Sequence, residues 1–204
     1  EWFGKAATVE NDYGYDWWPK VPSEKGDQDY THISTFELMK QGVIKGYFNW
    51  GMNPCHSAPN AGNVRRSMAS LDWLVVADQV ETESAAFWKA PDMNPSEIQT
   101  TVYFLPCALI YEKPGTILNS GRWLQWRYQA VEPWDQAKSD LEMCDLLWTE
   151  ICRLYKVEGG ANPDPILNTK WDYYVNGKID FRPVSWALNG YRTANSDFKA
   201  GKVD

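Results

Sequence analysis

The amino-acid sequence predicts an α/β fold built around a βαβ unit with two parallel strands, and three observations predict it. Trp73-Leu74-Val75-Val76-Ala77 is an unbroken apolar run, which reads as a strand covered on both faces, as strands of parallel sheets are. Just before it, Val64, Met68 and Leu71 recur at the i, i+4, i+7 spacing of one helical face. Earlier still, Val-Ile-Lys-Gly-Tyr-Phe-Asn over 43–49 reads as a first strand. Strand, loop, helix and strand in this order place the two strands parallel, with a right-handed crossover, so the unit is Rossmann-like.

The remaining elements follow in chain order. Residues 1–30 are rich in Trp, Tyr, Asp and Gly without helical or strand period and are expected to be irregular. Ser34 with Glu37 has the capping-box spacing and Gly42 is a helix stop, which predicts a helix over 35–41. After the second strand, 81–88 reads as a short helix. Residues 91–97, interrupted by Pro91, Asn94 and Pro95, read as a loop. A further apolar run in Thr100–Glu112 is broken at Pro106, and Lys113-Pro114-Gly115 is a turn. The clearest helix covers 140–157: Ser139 and Glu142 form a capping box, Leu141, Cys144, Trp148, Ile151 and Tyr155 fall on one stripe, and Gly159-Gly160 ends it. From Ala161 onward periodicity is weak. The expected organisation is an irregular segment 1–30, an α/β domain 31–160 and an irregular extension 161–204, without internal repeats.

Composition narrows the function classes. With 204 residues, 44% hydrophobic and 23% charged, the chain is an ordinary globular type. A net charge of -7 and a single tight basic pair, Arg65-Arg66, argue against nucleic acid as a partner, since phosphate tracking requires clustered cations. Cys55, Cys107, Cys144 and Cys152 include no CxxC pair, so this chain alone assembles neither a zinc knuckle nor an iron–sulfur cluster. Cys144 and Cys152 lie eight residues apart on a predicted helix. That is about 12 Å of rise, too far for a bridge. No apolar run approaches the ~18 residues of a membrane helix, and no targeting segment is recognisable.

Two positions invite a ligand. Gly51, in the loop Trp50-Gly51-Met52-Asn53-Pro54 after the first strand, would let backbone amides approach a phosphate just before a helix begins; a tight turn without ligand is the plain alternative. Asp78 ends the second strand, where dinucleotide-binding folds place an acid for a ribose or base edge; the plain alternative is a helix cap or a solvated carboxylate. His32 and His56 lack metal-ligand spacing, Cys55 and His56 are neighbours whose side chains diverge, and no GxSxG occurs, so no catalytic residue and no metal ligand is assigned. The twelve tryptophans admit sugar stacking or burial. Several fall beside strands or on the helix stripe, which favours burial, whereas Trp17, Trp18, Trp123 and Trp126 find no role.

Three runs carry a resemblance: YFNWGMNPCHSAPNAGNVRRSMASLDWLVVADQVETESAAFW, IQTTVYFLPCALIYEKPGTILNSGRWLQWRY and EGGANPDPILNTKWDY. Over residues 1–175 the chain resembles the catalytic subunit of respiratory and periplasmic formate dehydrogenases, in the molybdopterin-guanine-dinucleotide oxidoreductase family. That family's GxNP loop corresponds to Gly51-Met52-Asn53-Pro54, its VVxDxxxTET to Val75-Val76-Ala77-Asp78 with Thr82-Glu83, and its ExxGTxxNxxR to Glu112, Gly115, Thr116, Asn119 and Arg122. The resemblance implies that Trp50, Gly51, Met52 and Asn53 approach the phosphates or pterin of a pterin-guanine dinucleotide, that Asp78 recognises its guanosine end, and that Thr82 and Glu83 contribute. Asn119 and Arg122 either line the cofactor or knit the domain.

The same resemblance implies a molybdenum or tungsten cofactor shared with other parts of the subunit, oxidation of formate to carbon dioxide, an iron–sulfur beta subunit and a periplasmic location. The family's cysteine motif for a [4Fe-4S] centre, its metal-ligating selenocysteine or cysteine followed by histidine, and its carboxyl-terminal cofactor-clasping domain have no counterpart among these residues. The chain is therefore expected to be an interior piece of a larger multidomain subunit, inactive alone. The alternatives are another molybdopterin oxidoreductase, such as a nitrate reductase, and a non-catalytic tryptophan-rich carbohydrate-binding module.

Overall fold

The computed structural model describes residues 8, 10, 31–121, 123–161, 163–189, 191–192 and 197–199. The irregular segment expected over 1–30, with Trp17 and Trp18, lies almost wholly outside the described residues, as does Arg122. The chain divides into two compact units, Ser23–Ser139 and a second formed by Asp140–Asp204 with Glu1–Pro22.

In the first unit, α1 (His32–Lys40) precedes β1 (Gly46–Trp50), α2 (Pro54–Ser57), α3 (Ala61–Met68), β2 (Trp73–Asp78) and β3 (Thr101–Pro106). The helix α1 starts earlier than its predicted capping box allows. Thr31 is the N-cap, so Glu37 lies beyond the first turn and instead accepts from Asn63 Nδ2 at 2.5 Å. The three strands form one sheet in the order β1-β2-β3. Both pairings are parallel, with Tyr47 opposite Leu74 and Leu74 opposite Val102. The expected α/β fold with a parallel βαβ unit is present, and β3 extends it by one strand. The expected helix over 81–88 is reduced to turns and a 3-10 turn, Phe87–Lys89, and another 3-10 turn, Pro95–Glu97, lies in the expected loop.

One face of the sheet is built for burial. Leu74 and Val76 are fully buried against Phe36 and Met39 of α1 and against Val64, Met68 and Leu71, the predicted stripe, with Phe87 closing the cluster. The other face carries Phe48, Trp73, Tyr103 and Leu105, all largely exposed. Along the run 73–77 that other face is covered unevenly: Trp73 is exposed, Val75 half-buried and Ala77 buried. Gly46 is required in β1: a Cβ there would overlap the Trp73 indole, which lies across the neighbouring strand and meets Phe48 edge-on at 5.2 Å. After β3 the chain forms an antiparallel hairpin, β4 (Gly115–Leu118) with β5 (Leu124–Arg127), whose apolar residues Leu118 and Trp126 are exposed.

The second unit starts with α4 (Asp140–Glu158), followed by α5 (Pro163–Leu167), a hairpin of β6 (Tyr174–Val175) and β7 (Lys178–Ile179), α6 (Phe181–Asn189), and the short pair β8 (Tyr191–Arg192) and β9 (Phe198–Lys199). The region from 161 onward, expected to be irregular, thus contains two helices and two hairpins among its described residues. Asn176 and Gly177 both have positive φ, 52° and 76°, the geometry of a two-residue turn whose twist matches antiparallel strands. On α4 the buried side chain is Met143, whereas Cys144 of the predicted stripe is exposed. No described helix is long and apolar enough to cross a membrane.

Candidate functional site

Parallel register sets the tips of β1 and β2 side by side. Trp50 is opposite Ala77, one residue before Asp78, and Asp78 is opposite Pro106 of β3. The chain leaves β1 through Gly51, whose φ of 61° is a left-handed value that disfavours a side chain. The Gly51 N–H donates to the Ala77 carbonyl at 2.9 Å, which fastens this turn to the neighbouring strand. Gly51 and Met52 are exposed, Trp50 and Asn53 half-buried. The helix that follows, α2, has only four residues and begins with Pro54, which has no N–H. A macrodipole from so short a helix is slight, so anion binding at this turn would depend on its own amides. The longer helix α3 begins further on, and the Asn60 side chain already accepts from its Asn63 N–H at 3.2 Å.

Asp78 is half-buried at the end of β2, and its Oδ1 accepts the Gln79 N–H at 2.8 Å. It caps no helix. Asn53 and Glu83, both expected as cofactor contacts, are turned towards one another. Asn53 Nδ2 donates to Glu83 Oε2 at 2.5 Å, while Asn53 Oδ1 accepts from the Ser84 hydroxyl at 2.7 Å and from the Ser84 N–H at 3.2 Å. The buried Ser84 hydroxyl in turn accepts the Cys55 N–H at 3.1 Å. Backbone hydrogen bonding at Glu83 and then the Asn53 amide hold the Glu83 carboxyl below its ordinary value. These bonds tie the loop after β1 to the loop after β2, a coupling of residues about thirty positions apart that no sequence spacing shows.

Thr82 lies on that second loop and lines an open groove of about 660 Å³ with Arg65, Val80, Phe87 and Lys89. Its hydroxyl oxygen is buried without a hydrogen-bond partner. The only other such side-chain atom among the described residues is Asn49 Oδ1, on β1 just ahead of the Gly51 turn. Asn49, 2% exposed, was not singled out from the sequence; the available signal was an amide at an inward strand position between apolar neighbours. Cys55 is buried with its thiol against Met68 Sδ, and burial pushes its pKa up, which is the opposite of nucleophile activation. Among the described residues no three His, Cys, Asp or Glu side chains cluster as a metal site.

The third motif lies on the turn and hairpin after β3. The buried Glu112 accepts the Leu109 N–H at 2.8 Å, Gly115 opens β4 with φ 150°, Thr116 pairs with Trp126, and Asn119 Oδ1 accepts the Trp123 N–H at 3.3 Å. The Glu112 bond closes the turn ahead of β4, and the contacts of Thr116 and Asn119 belong to the hairpin itself.

No family model matches the chain. Among curated proteins, the formate dehydrogenase subunit alpha of Megalodesulfovibrio gigas is 38% identical over 97% of the chain, and the formate dehydrogenase 2 subunit alpha (cytochrome c-553) of Nitratidesulfovibrio vulgaris is 40% identical over 99%. The chain belongs to the formate dehydrogenase alpha-subunit family. It spans 19% and 20% of those two relatives' own lengths. A nitrate reductase of Shewanella frigidimarina is more distant, 26% identical over 61% of the chain and 12% of its own length. The tryptophans of the chain divide: Trp73 packs over Gly46 and Trp148 meets Trp171 at 6.3 Å, whereas Trp123 and Trp134 are 72% and 83% exposed.

Proposed function

We propose that the chain is part of a formate dehydrogenase catalytic subunit, which carries out the two-electron oxidation of formate to carbon dioxide. The carboxyl end of its three-stranded sheet helps hold one pterin-guanine dinucleotide of a molybdenum or tungsten cofactor. The supporting observation is where unused polar groups gather. Among the described residues, the two buried side-chain oxygens without partners, Asn49 Oδ1 and Thr82 Oγ1, flank the loops that follow β1 and β2. Beside them, the Met52 and Asn53 amides have no hydrogen-bond partner among the described residues. Buried polar groups are ordinarily paired, so orphans concentrated at one end of a parallel sheet fit a polar ligand received there.

In this reading the Gly51 turn brings the Met52 and Asn53 N–H groups to the pyrophosphate, and Asp78 accepts from the hydroxyls or amines of the guanosine end. Thr82 contributes a hydroxyl, and Asn53 and Glu83 act on each other to hold the two loops in register. The bound metal cofactor supplies the redox chemistry, and the chain supplies orientation and exclusion of water. Electrons would leave through a [4Fe-4S] centre elsewhere in the subunit and an iron–sulfur beta subunit, in the periplasm.

The test uses the full-length subunit. Gly51→Val, which forces a β-branched residue to φ 61°, and Asp78→Ala should each lower the guanine released on acid hydrolysis, with formate-dependent dye reduction falling in parallel. Full guanine and metal content in both variants would remove the site. Retained cofactor with nitrate but not formate turnover would instead favour the nitrate reductase reading.

A further inference from the structure

We infer that Asn49 is the positioning residue that sets the direction of the phosphate-facing amides, an inference that rests on the cofactor reading above. Asn49 occupies the fourth position of β1, opposite Val76, on the sheet face that buries Leu74 and Val76 against the helices. An amide at such a place costs stability unless it is used. Its Nδ2 is used: it donates to the Met52 carbonyl at 2.7 Å. Its Oδ1 accepts nothing. A residue serving only to fill that space would do so better as an apolar side chain, so the bond to Met52 is the reason for the amide.

That bond has a geometric consequence. The peptide joining Met52 to Asn53 is planar and trans, so its N–H points opposite to its C=O. Drawing the Met52 carbonyl towards Asn49 therefore turns the Asn53 N–H away from the sheet core. The Asn53 side chain is already committed to Glu83 and Ser84, Pro54 has no N–H, and the Gly51 N–H is bound to Ala77. The Asn53 and Met52 amides are the donors that the loop has left for a phosphate oxygen. Without the clamp the peptide is free to rotate, and binding has to order it first.

The experiment compares full-length enzyme loaded with cofactor against the same enzyme made in a host that cannot synthesise the pterin. Asn49→Leu keeps the branching of the side chain, though it is bulkier, and removes both the clamp and the orphan oxygen; Asn49→Ser is too short to reach Met52. Both variants should bind cofactor roughly tenfold more weakly, the factor expected when one loop amide no longer bonds a phosphate oxygen, and so retain less guanine than wild type under limiting cofactor. The gap in melting temperature between loaded and cofactor-free protein should shrink, because ligand stabilisation follows affinity. The cofactor-free Asn49→Leu protein should melt no lower than wild type. A purely structural role predicts instead that loaded and free forms lose stability together with the gap unchanged, which overturns the inference. Normal guanine content in both Asn49 variants also overturns it while Gly51→Val and Asp78→Ala lose theirs; if all four keep their guanine, the cofactor reading itself has failed.

Discussion

The stretch from α1 to β3 and the stretch from α4 to α6 solve the problem of burial differently. In the first, Phe36, Met39, Val64, Met68, Leu71, Leu74, Val76 and Phe87 form one buried cluster drawn from α1, α3 with the link that follows it, β2 and the 3-10 turn Phe87–Lys89. In the second, the buried hydrophobic side chains among the described residues are few, Met143, Tyr173 and Ala187 with Pro165, while Leu146, Leu147, Val157 and Trp186 face outward. Its polar contacts are mostly short in sequence, such as Arg153 to Glu150 and Arg182 to Asp180, although Asp145 does accept from Trp171 Nε1 at 2.8 Å. The lesson is that the candidate site stands on the part whose shape is set by long-range packing. Parallel strands can hold two loops in register only if the residues between them are locked, and that lock is the cluster beneath β2.

The sharpest way to break this contrast is a pair of leucines. Leu74, fully buried, should cost about 3 kcal/mol when replaced by Ala, through lost transfer energy and the cavity left behind. Leu147→Ala, on a side chain 38% exposed, should cost less than about 1 kcal/mol. Urea unfolding of the chain checks both, and equal losses would mean that the second stretch has a core as tight as the first. Next in size is Ser84→Ala. It leaves the Cys55 N–H unpaired and strips Asn53 of its closest donor, so a loss of about 2 kcal/mol is expected. Hydrogen exchange should quicken at Cys55 and across the two loops rather than in α4; an effect confined to global stability would show that the loops are not separately held.

The sequence disclosed the central unit because its signals are periodic. Val64, Met68 and Leu71 mark a helical face, and an apolar run next to it marks a strand, so β1, α3 and β2 were legible together with their parallel arrangement. Gly51 and Asp78 were legible as strand-tip residues for the same reason. What stayed hidden depended on partners. Asn53 and Glu83 look like two polar loop residues until the fold joins them, and Ser84 and Asn49 gain meaning only once β1 and β2 are adjacent. The hairpin of β6 and β7 was different, since Asn176-Gly177 is a strong turn signal that the weak periodicity around it obscured. On α4 the predicted stripe holds at Leu141, Trp148, Ile151 and Tyr155, all half-buried, whereas Cys144 is exposed and its neighbour Met143 is the buried side chain.

The smallest expected effect concerns acid. Asp92 lies in a bidentate pair with Arg65, 2.9 Å from Nε and 2.8 Å from Nη2, and that guanidinium holds its carboxyl below the ordinary 3.8. Glu150 and Asp180 are lowered likewise, by Arg153 and Arg182. A carboxyl depressed in the folded state stabilises the fold above its unfolded pKa, and that contribution is lost as pH falls through the folded value. Only the difference between folded and unfolded states counts, however. Arg65 and Asp92 are 27 residues apart and separate when the chain unfolds, whereas Arg153 and Glu150, three apart, and Arg182 and Asp180, two apart, stay neighbours in the unfolded chain. Asp92→Asn should therefore flatten the decline in stability as pH falls below the ordinary 3.8, while Glu150→Gln changes that slope less. Urea midpoints measured across this range decide it: equal flattening by the two substitutions would mean that the pairing of α3 with the loop at Asp92 is no more dependent on folding than a contact within one helical turn.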